Sequence, residues 1–148
     1  MPTANTICSF NTDSWKQLVA ELVKNDYVVY YNAHDFAEPL IGAKSVDFSF
    51  METVYFAAHF SAIVGVRSGM MELVLEVKDV PCLAFYKNFS PVNQIFLTSR
   101  EVMAGFSLHH LPIKNKDNVI EKDAEDGNFS LCNATLSFLS QKSRIFEL

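Results

Sequence analysis

Short apolar runs alternate with amphipathic segments over the first 86 residues, and this alternation most strongly constrains the fold. Apolar residues recur at three- and four-residue spacing between the runs, as they do on one face of a helix. The order β-α-β-α-β-α-β predicts an α/β domain of the Rossmann kind, with about four parallel strands and helices on both faces of the sheet. The predicted strands, rich in β-branched and aromatic residues, are residues 6–10, 27–31, 62–66 and 80–86.

Polar residues mark where three of the helices begin. Asn11 stands directly before the first amphipathic stripe, and asparagine is a preferred N-cap residue. Ser49 with Glu52, and Thr98 with Glu101, have the spacing of a capping box. These pairs predict one helix that runs to about residue 60 and another that begins after Thr98.

The length of 148 residues fits a single domain. We expect its core at about residues 5–87, followed by a less regular carboxyl-terminal extension at about 88–148. Within the extension, residues 114–128 are polar and charged and predict an exposed loop. Residues 131–138 are compatible with a helix or a strand, and their spacing favours a helix.

Composition excludes several classes of protein. The net charge of −5 argues against a general nucleic-acid binder, which normally has a basic face. No apolar run approaches the roughly 20 residues of a membrane-spanning helix. The amino-terminal residues do not have the pattern of a signal peptide, in which basic residues precede an apolar stretch. Three dispersed cysteines suggest buried inert thiols and a cytoplasmic location. Thirteen phenylalanines either fill the core or leave an apolar face for a partner.

The clearest sign of a ligand site is the turn Arg67-Ser68-Gly69. The strand at residues 62–66 runs into this turn, which opens a helix without a spacer. Ligands of open parallel sheets bind beyond the carboxyl ends of the strands, and a helix start presents free N–H groups to an anion. Gly69 allows close approach, and the Arg67 guanidinium suits a phosphate or diphosphate. The alternative is that Ser68 is only an N-cap and Arg67 only a surface salt-bridge residue.

Other polar residues follow the ends of the first two predicted strands. Asn11 follows the first strand, and Asn32, His34 and Asp35 follow the second, so we regard all four as possible substrate contacts.

The sequence predicts neither a metal site nor a cofactor. His109 and His110 are adjacent, and no cysteine or acidic residue lies at metal-ligand spacing from them. The glycine-rich dinucleotide fingerprint, the phosphate-binding P-loop and the serine-hydrolase elbow are all absent.

The central part of the chain resembles the donor-binding, carboxyl-terminal half of bacterial GT-B glycosyltransferases that build surface polysaccharide. The resemblance covers roughly residues 5–87. Its layout is also similar to the Asp-Thr-Gly-x-x-His turn of lipopolysaccharide heptosyltransferases, with Arg67 in place of the Asp and Glu72 where the His falls. The residues that carry it are Ala62-Ile-Val-Gly-Val-Arg-Ser-Gly-Met-Met-Glu-Leu-Val-Leu followed by Lys-Asp-Val-Pro-Cys-Leu-Ala-Phe-Tyr.

This resemblance implies that the ligand is a nucleotide-sugar. Arg67, Ser68 and the Gly69 amide would hold the diphosphate, and Glu72 or Glu76 would meet a ribose or sugar hydroxyl, unless the two acids form only a solvated helix edge. A complete GT-B enzyme has two Rossmann domains, so the resemblance also implies a partner domain or chain that supplies the other half and the catalytic base. The alternative function is a non-catalytic Rossmann-like binding or protein-interaction module.

Overall fold

The structure is a computed structural model that describes residues 11–33, 36, 38–89 and 96–146, with side chains up to residue 142. The strand predicted at residues 6–10 lies outside the described residues, as do His34 and Asp35.

Strands and α-helices alternate along the described chain except at residues 30–46, where two strands follow each other without an α-helix between them. A short 3-10 helix (Leu108–His110) follows the fourth α-helix. The elements are α1 (Thr12–Lys24), β1 (Tyr30–Asn32), β2 (Lys44–Val46), α2 (Phe50–Ala57), β3 (Ile63–Val66), α3 (Gly69–Val77), β4 (Cys82–Tyr86), α4 (Ser99–Phe106), β5 (Val119–Asp123) and α5 (Leu131–Phe146).

The described strands form two parallel sheets. β1 pairs with β2, while β3, β4 and β5 form a three-stranded sheet with β4 in the centre. Val66 lies opposite Phe85, and Tyr86 lies opposite Asp123, so the three strands end at the same edge. The predicted α/β class and parallel sheet are confirmed, and the arrangement is compatible with a Rossmann-like fold.

Strand β4 forms the centre of the core because apolar side chains cover both of its faces. All five of its residues are buried. Ala84 and Tyr86 pack with Leu75 of α3 and with Leu108, whereas Leu83 and Phe85 pack with residues of α1 and α5. Cys82 is buried in the same strand, and burial raises the pKa of its thiol to about 12, which agrees with the inert thiol expected there.

Strand β5 corrects the prediction of an exposed loop at residues 114–128. Val119–Asp123 pairs in parallel with β4 along its whole length. Only its first two residues are apolar, so the strand lacks the usual alternation. The Glu121 carboxylate is satisfied inside the fold, where it accepts hydrogen bonds from the Ser107 hydroxyl (2.9 Å) and the Leu108 N–H (2.6 Å).

The predicted helix starts are confirmed. The Asn11 side chain caps α1, and both capping boxes are formed, at Ser49 with Glu52 and at Thr98 with Glu101. The segment at residues 131–138 is helical, within the longer α5. None of the described helices combines the length and apolar character needed to span a membrane.

Candidate functional site

The turn between β3 and α3 lies at the carboxyl edge of the three-stranded sheet. Arg67 follows β3, and its backbone N–H donates to the Phe85 carbonyl (2.9 Å), which extends the pairing with β4. Ser68 is the N-cap residue of α3, and Gly69 is the first helical residue. The structure therefore places Arg67, Ser68 and Gly69 where the sequence predicted them.

The amino terminus of α3 is open. The backbone of Ser68 is extended, but its side chain makes no capping hydrogen bond. A Cβ atom added at Gly69 would meet nothing within 4 Å among the described atoms. The first N–H groups of a helix have no acceptor within the helix, and Gly69 is exposed, so the N–H groups of Gly69 and Met70 are candidates for a ligand beside the Ser68 hydroxyl.

The Arg67 side chain is held in place by two other elements. Its Nε donates to the carbonyl oxygen of Phe106, the last residue of α4 (3.1 Å). Its Nη2 forms an ion pair with a carboxylate oxygen of Glu72, in the first turn of α3. The Arg67 side chain is 13% exposed and that of Glu72 is 39% exposed. The alternative role of Arg67 in a salt bridge is therefore realised, but the pair lies at the sheet edge and is partly buried.

The Tyr86 hydroxyl completes this arrangement. It donates to the same Phe106 carbonyl oxygen as Arg67 (3.2 Å). Burial and the nearby Glu121 carboxylate raise the pKa of Tyr86, an effect that Arg67 partly offsets. The hydroxyl is therefore neutral at physiological pH, and with Arg67 it ties the end of α4 to the sheet edge.

A second polar cluster lies at the end of β5, which the sequence did not indicate as part of the site. The Asp123 carboxylate accepts hydrogen bonds from the Ser99 hydroxyl (2.5 Å) and the Glu125 N–H (3.0 Å), and lies 3.5 Å from Arg100 Nε. The hydrogen bond from Ser99 is the main reason that the pKa of Asp123 is lowered. Asp123 comes three residues after the apolar pair Val119-Ile120. Two apolar residues are too short a run to predict a strand, so the sequence does not indicate Asp123 as a residue at a strand end.

The same cluster fixes the beginning of α4. Asn88, just after β4, accepts a hydrogen bond from the Ser99 N–H through its side-chain oxygen (2.9 Å). The Asn88 N–H donates to the Glu125 carboxylate (3.3 Å), which also lies 3.9 Å from Lys87 Nζ. Because these contacts are made within the chain, the cluster acts as a clamp between β4, α4 and β5.

The remaining candidates have other roles or lie elsewhere. The Asn11 side chain accepts from the Asp13 N–H (2.8 Å) as the cap of α1. Asn32 ends β1, in the two-stranded sheet. Glu76 pairs with the Lys114 ammonium (3.3 Å) and accepts from the Lys114 N–H (3.2 Å). Of the predicted site residues, the structure brings Arg67, Ser68, Gly69 and Glu72 together.

The described residues contain no group of three or more histidine, cysteine, aspartate or glutamate side chains that could hold a metal ion.

Comparisons of this chain with protein-family models, with curated proteins and with solved structures found no match.

Proposed function

We propose that the amino terminus of α3 binds the diphosphate of a nucleotide-sugar. In this proposal the chain is the donor-binding half of a glycosyltransferase that acts in surface polysaccharide or glycoconjugate synthesis, and a second domain or partner chain is needed for transfer. The observation that supports it best is the open helix start at the carboxyl edge of a parallel sheet, where Ser68 and Gly69 lie side by side.

The backbone at this helix start is suited to an anion. The amides of Gly69 and Met70 supply hydrogen-bond donors, and the positive end of the α3 dipole favours negative charge. The Ser68 hydroxyl makes no capping bond, so it can donate to a phosphate oxygen without loss of a helix contact. The open space at Gly69 allows a bulky diphosphate to approach the backbone.

Arg67 contributes a positive charge to the site, and the Glu72 carboxylate partly neutralises this charge. The hydrogen bond from Arg67 Nε to the Phe106 carbonyl holds the guanidinium at the sheet edge without the help of Glu72. A fixed guanidinium loses less conformational entropy when an anion binds. The Glu72 carboxylate also offsets that charge, so we propose that an incoming diphosphate competes with Glu72 for Arg67. The resemblance assigns Glu72 a ribose or sugar hydroxyl instead, and the two roles predict opposite effects of its removal.

Isothermal titration calorimetry with a matched nucleoside and nucleoside diphosphate tests the proposal. We expect the diphosphate to bind more tightly than the nucleoside, because only the diphosphate meets the helix start. Arg67→Ala should weaken diphosphate binding by about 1.5–3 kcal/mol, as expected for a charge-assisted hydrogen bond. Nucleoside binding should hardly change.

Two further variants keep the test decisive if Arg67→Ala disturbs the fold. Glu72→Gln should strengthen diphosphate binding by roughly fivefold, which corresponds to about 1 kcal/mol for a partly exposed charge. Ser68→Ala should weaken it while leaving the melting temperature almost unchanged. Equal affinity for nucleoside and diphosphate in the folded wild-type protein would contradict the proposal. Weaker binding of both ligands by Glu72→Gln would assign Glu72 to the ribose instead.

The exposed face of α2 supports the second candidate, a non-catalytic binding or interaction module. Phe50, Met51 and Tyr55 are 51%, 70% and 66% exposed, respectively. Exposed apolar side chains that lie together mark a partner surface. A missing GT-B half and an unrelated partner would both cover such a surface. A gene that encodes a second Rossmann domain beside this one would favour the glycosyltransferase, and its absence would favour the interaction module.

A further inference from the structure

Strand β5 is an edge strand in the described sheet, at the opposite side from the turn at Arg67. It pairs with β4 on one side, and β3 forms the other edge. The N–H of Cys82 donates to the Asn118 carbonyl, and the N–H of Ala124 donates to the Tyr86 carbonyl. The N–H and C=O groups of one residue point to one side of a strand, and those of the next residue point to the other side. The N–H and C=O groups of Glu121 and Asp123 therefore point away from β4.

The beginning of this outer edge is covered within the chain. The His109 ring lies with Nε2 3.0 Å from the Val119 carbonyl oxygen, which is the first outward-pointing carbonyl of β5. The outward-pointing backbone groups of Glu121 and Asp123 therefore form a short edge segment that begins after the carbonyl covered by His109. Such edge groups are a ready template for another extended chain.

A groove of about 310 Å³ runs beside this edge, between β5 and α5. The apolar part of its lining includes Ile120 and the buried Phe138. The polar part of its lining includes Asn133, Ser137 and Gln141, which follow each other at four-residue spacing along α5. An extended peptide beside β5 would place alternate side chains in this groove.

The charged residues of β5 indicate which kind of segment can pair with its outer edge. Lys122 is exposed and lines the groove next to Ile120. Two copies of β5 paired antiparallel about Glu121 would bring the two Glu121 residues opposite each other, and pairing about Lys122 would bring the two lysines together. Like charges directly opposite are destabilising, so a second copy of β5 is a poor partner. A carboxylate across from Lys122 and an apolar side chain across from Ile120 are complementary.

From these observations we infer that the edge of β5 and the adjacent groove bind an extended peptide segment of a partner protein by strand addition. The segment carries an acidic residue and an apolar residue two positions apart. Main-chain hydrogen bonds to β5 supply affinity, and the two side chains in the groove supply selectivity. The site lies apart from the α3 helix start and does not depend on the proposed nucleotide-sugar function.

Amide NMR of the ¹⁵N-labelled chain tests this inference with synthetic peptides. The probe peptide alternates threonine with glutamate, valine and glutamate, so that it reads alike in both directions. We expect shifts of the Glu121 and Asp123 amides and of the polar face of α5. A peptide with lysines in place of the glutamates should bind roughly fivefold more weakly or worse, since an exposed ion pair of about 1 kcal/mol is replaced by repulsion.

A charge exchange and backbone methylation provide the matched controls. Lys122→Glu should reverse the preference, so that the lysine peptide binds better, and its melting temperature shows that the exposed substitution leaves the fold intact. One probe peptide is N-methylated at its glutamates and valine, and another at its threonines. One of the two should lose binding and the other should keep it, because alternate N–H groups face β5.

Three results would overturn the inference. The first is equal binding by both methylated peptides. The second is an unchanged charge preference in folded Lys122→Glu. The third is a response of α5 amides to the neutral oligosaccharide maltotriose, without shifts in β5, which would assign the groove to a carbohydrate.

Discussion

Arg67 and Asp123 show how much a polar residue at the sheet edge depends on its neighbours. Arg67 is tied to Glu72 and to the end of α4, and Asp123 is tied to Ser99 and Arg100 at its beginning. Both therefore fix α4 against the sheet. They differ in their surroundings, because Arg67 borders the open helix start of α3 whereas Asp123 is engaged by contacts within the chain.

The lowered pKa of Asp123 makes a prediction about stability and pH. A carboxyl group whose pKa is lower in the folded state stabilises the fold above its unfolded pKa, near 3.8, and loses this effect as the pH falls through the folded value. We expect Asp123→Asn to lower the free energy of unfolding by about 1–3 kcal/mol at neutral pH. The difference from wild type should shrink below about pH 4.

Urea denaturation of both proteins between neutral pH and the most acidic pH at which they fold measures this difference. Asp117→Asn is the control, because Asp117 is exposed, and its effect should stay within about 0.5 kcal/mol. A wild-type advantage that persists unchanged in acid would contradict the assigned cause.

Four of the described α-helices, α2 to α5, begin after a hydroxyl residue, and only at α3 does this hydroxyl accept no hydrogen bond from the helix. Ser49 and Thr98 accept hydrogen bonds from the Glu52 and Glu101 N–H groups, whereas Ser68 accepts none. At α2 and α4, the residue that the sequence offers as an N-cap thus forms the capping hydrogen bond in the structure. At α3 the residue type also favours a cap, but the Ser68 hydroxyl makes no hydrogen bond to the helix. We place the ligand beside this hydroxyl.

This contrast predicts how alanine substitutions at Ser49, Thr98 and Ser68 affect stability. Ser49→Ala and Thr98→Ala should each lower the free energy of unfolding by about 1 kcal/mol, because each removes a bond to the first turn of its helix. Ser68→Ala should cost less than about 0.5 kcal/mol, as at an ordinary surface position. Thermal and urea unfolding check the series. A loss at Ser68 equal to the other two would mean that its hydroxyl is a cap in solution.

Helices were easier to predict from this sequence than strands. Capping boxes and three- and four-residue apolar spacing involve only neighbouring residues, so Ser49 and Thr98 correctly predict where α2 and α4 begin. β5 depends on distant partners: Glu121 is acceptable inside the fold because Ser107 and Leu108 donate to it. Short-range patterns do not contain that information, and for the same reason the clamp at Asp123 was missed.

At the scale of the whole molecule, β5 joins the carboxyl-terminal part of the chain to the core. It turns a region expected to be peripheral into part of the same sheet as the candidate site. The positions of Arg67, Ser68, Gly69 and Glu72 at the sheet edge are predictable from the sequence because strand, turn and helix follow each other directly. The contact of Arg67 with Phe106, 39 positions away, is not.

Hydrogen exchange followed by NMR tests the place of β5 in the sheet. The amides of Ile120, Lys122 and Ala124 should exchange slowly because they donate to β4, and those of Glu121 and Asp123 should exchange faster because they face the outer edge. Uniformly fast exchange over residues 119–124 would restore the exposed loop and contradict the three-stranded sheet.

In the proposed function an anion binds at the start of α3, and amide NMR with a matched nucleoside and nucleoside diphosphate detects this contact at single residues. We expect the diphosphate to shift the amide signals of Gly69 and Met70, since their N–H groups meet the phosphate oxygens. The nucleoside should leave both signals in place, and Arg67→Ala should reduce the diphosphate shifts at a given concentration. Diphosphate shifts that avoid Gly69 and Met70, or equal shifts with the nucleoside, would show that no anion binds at the start of α3.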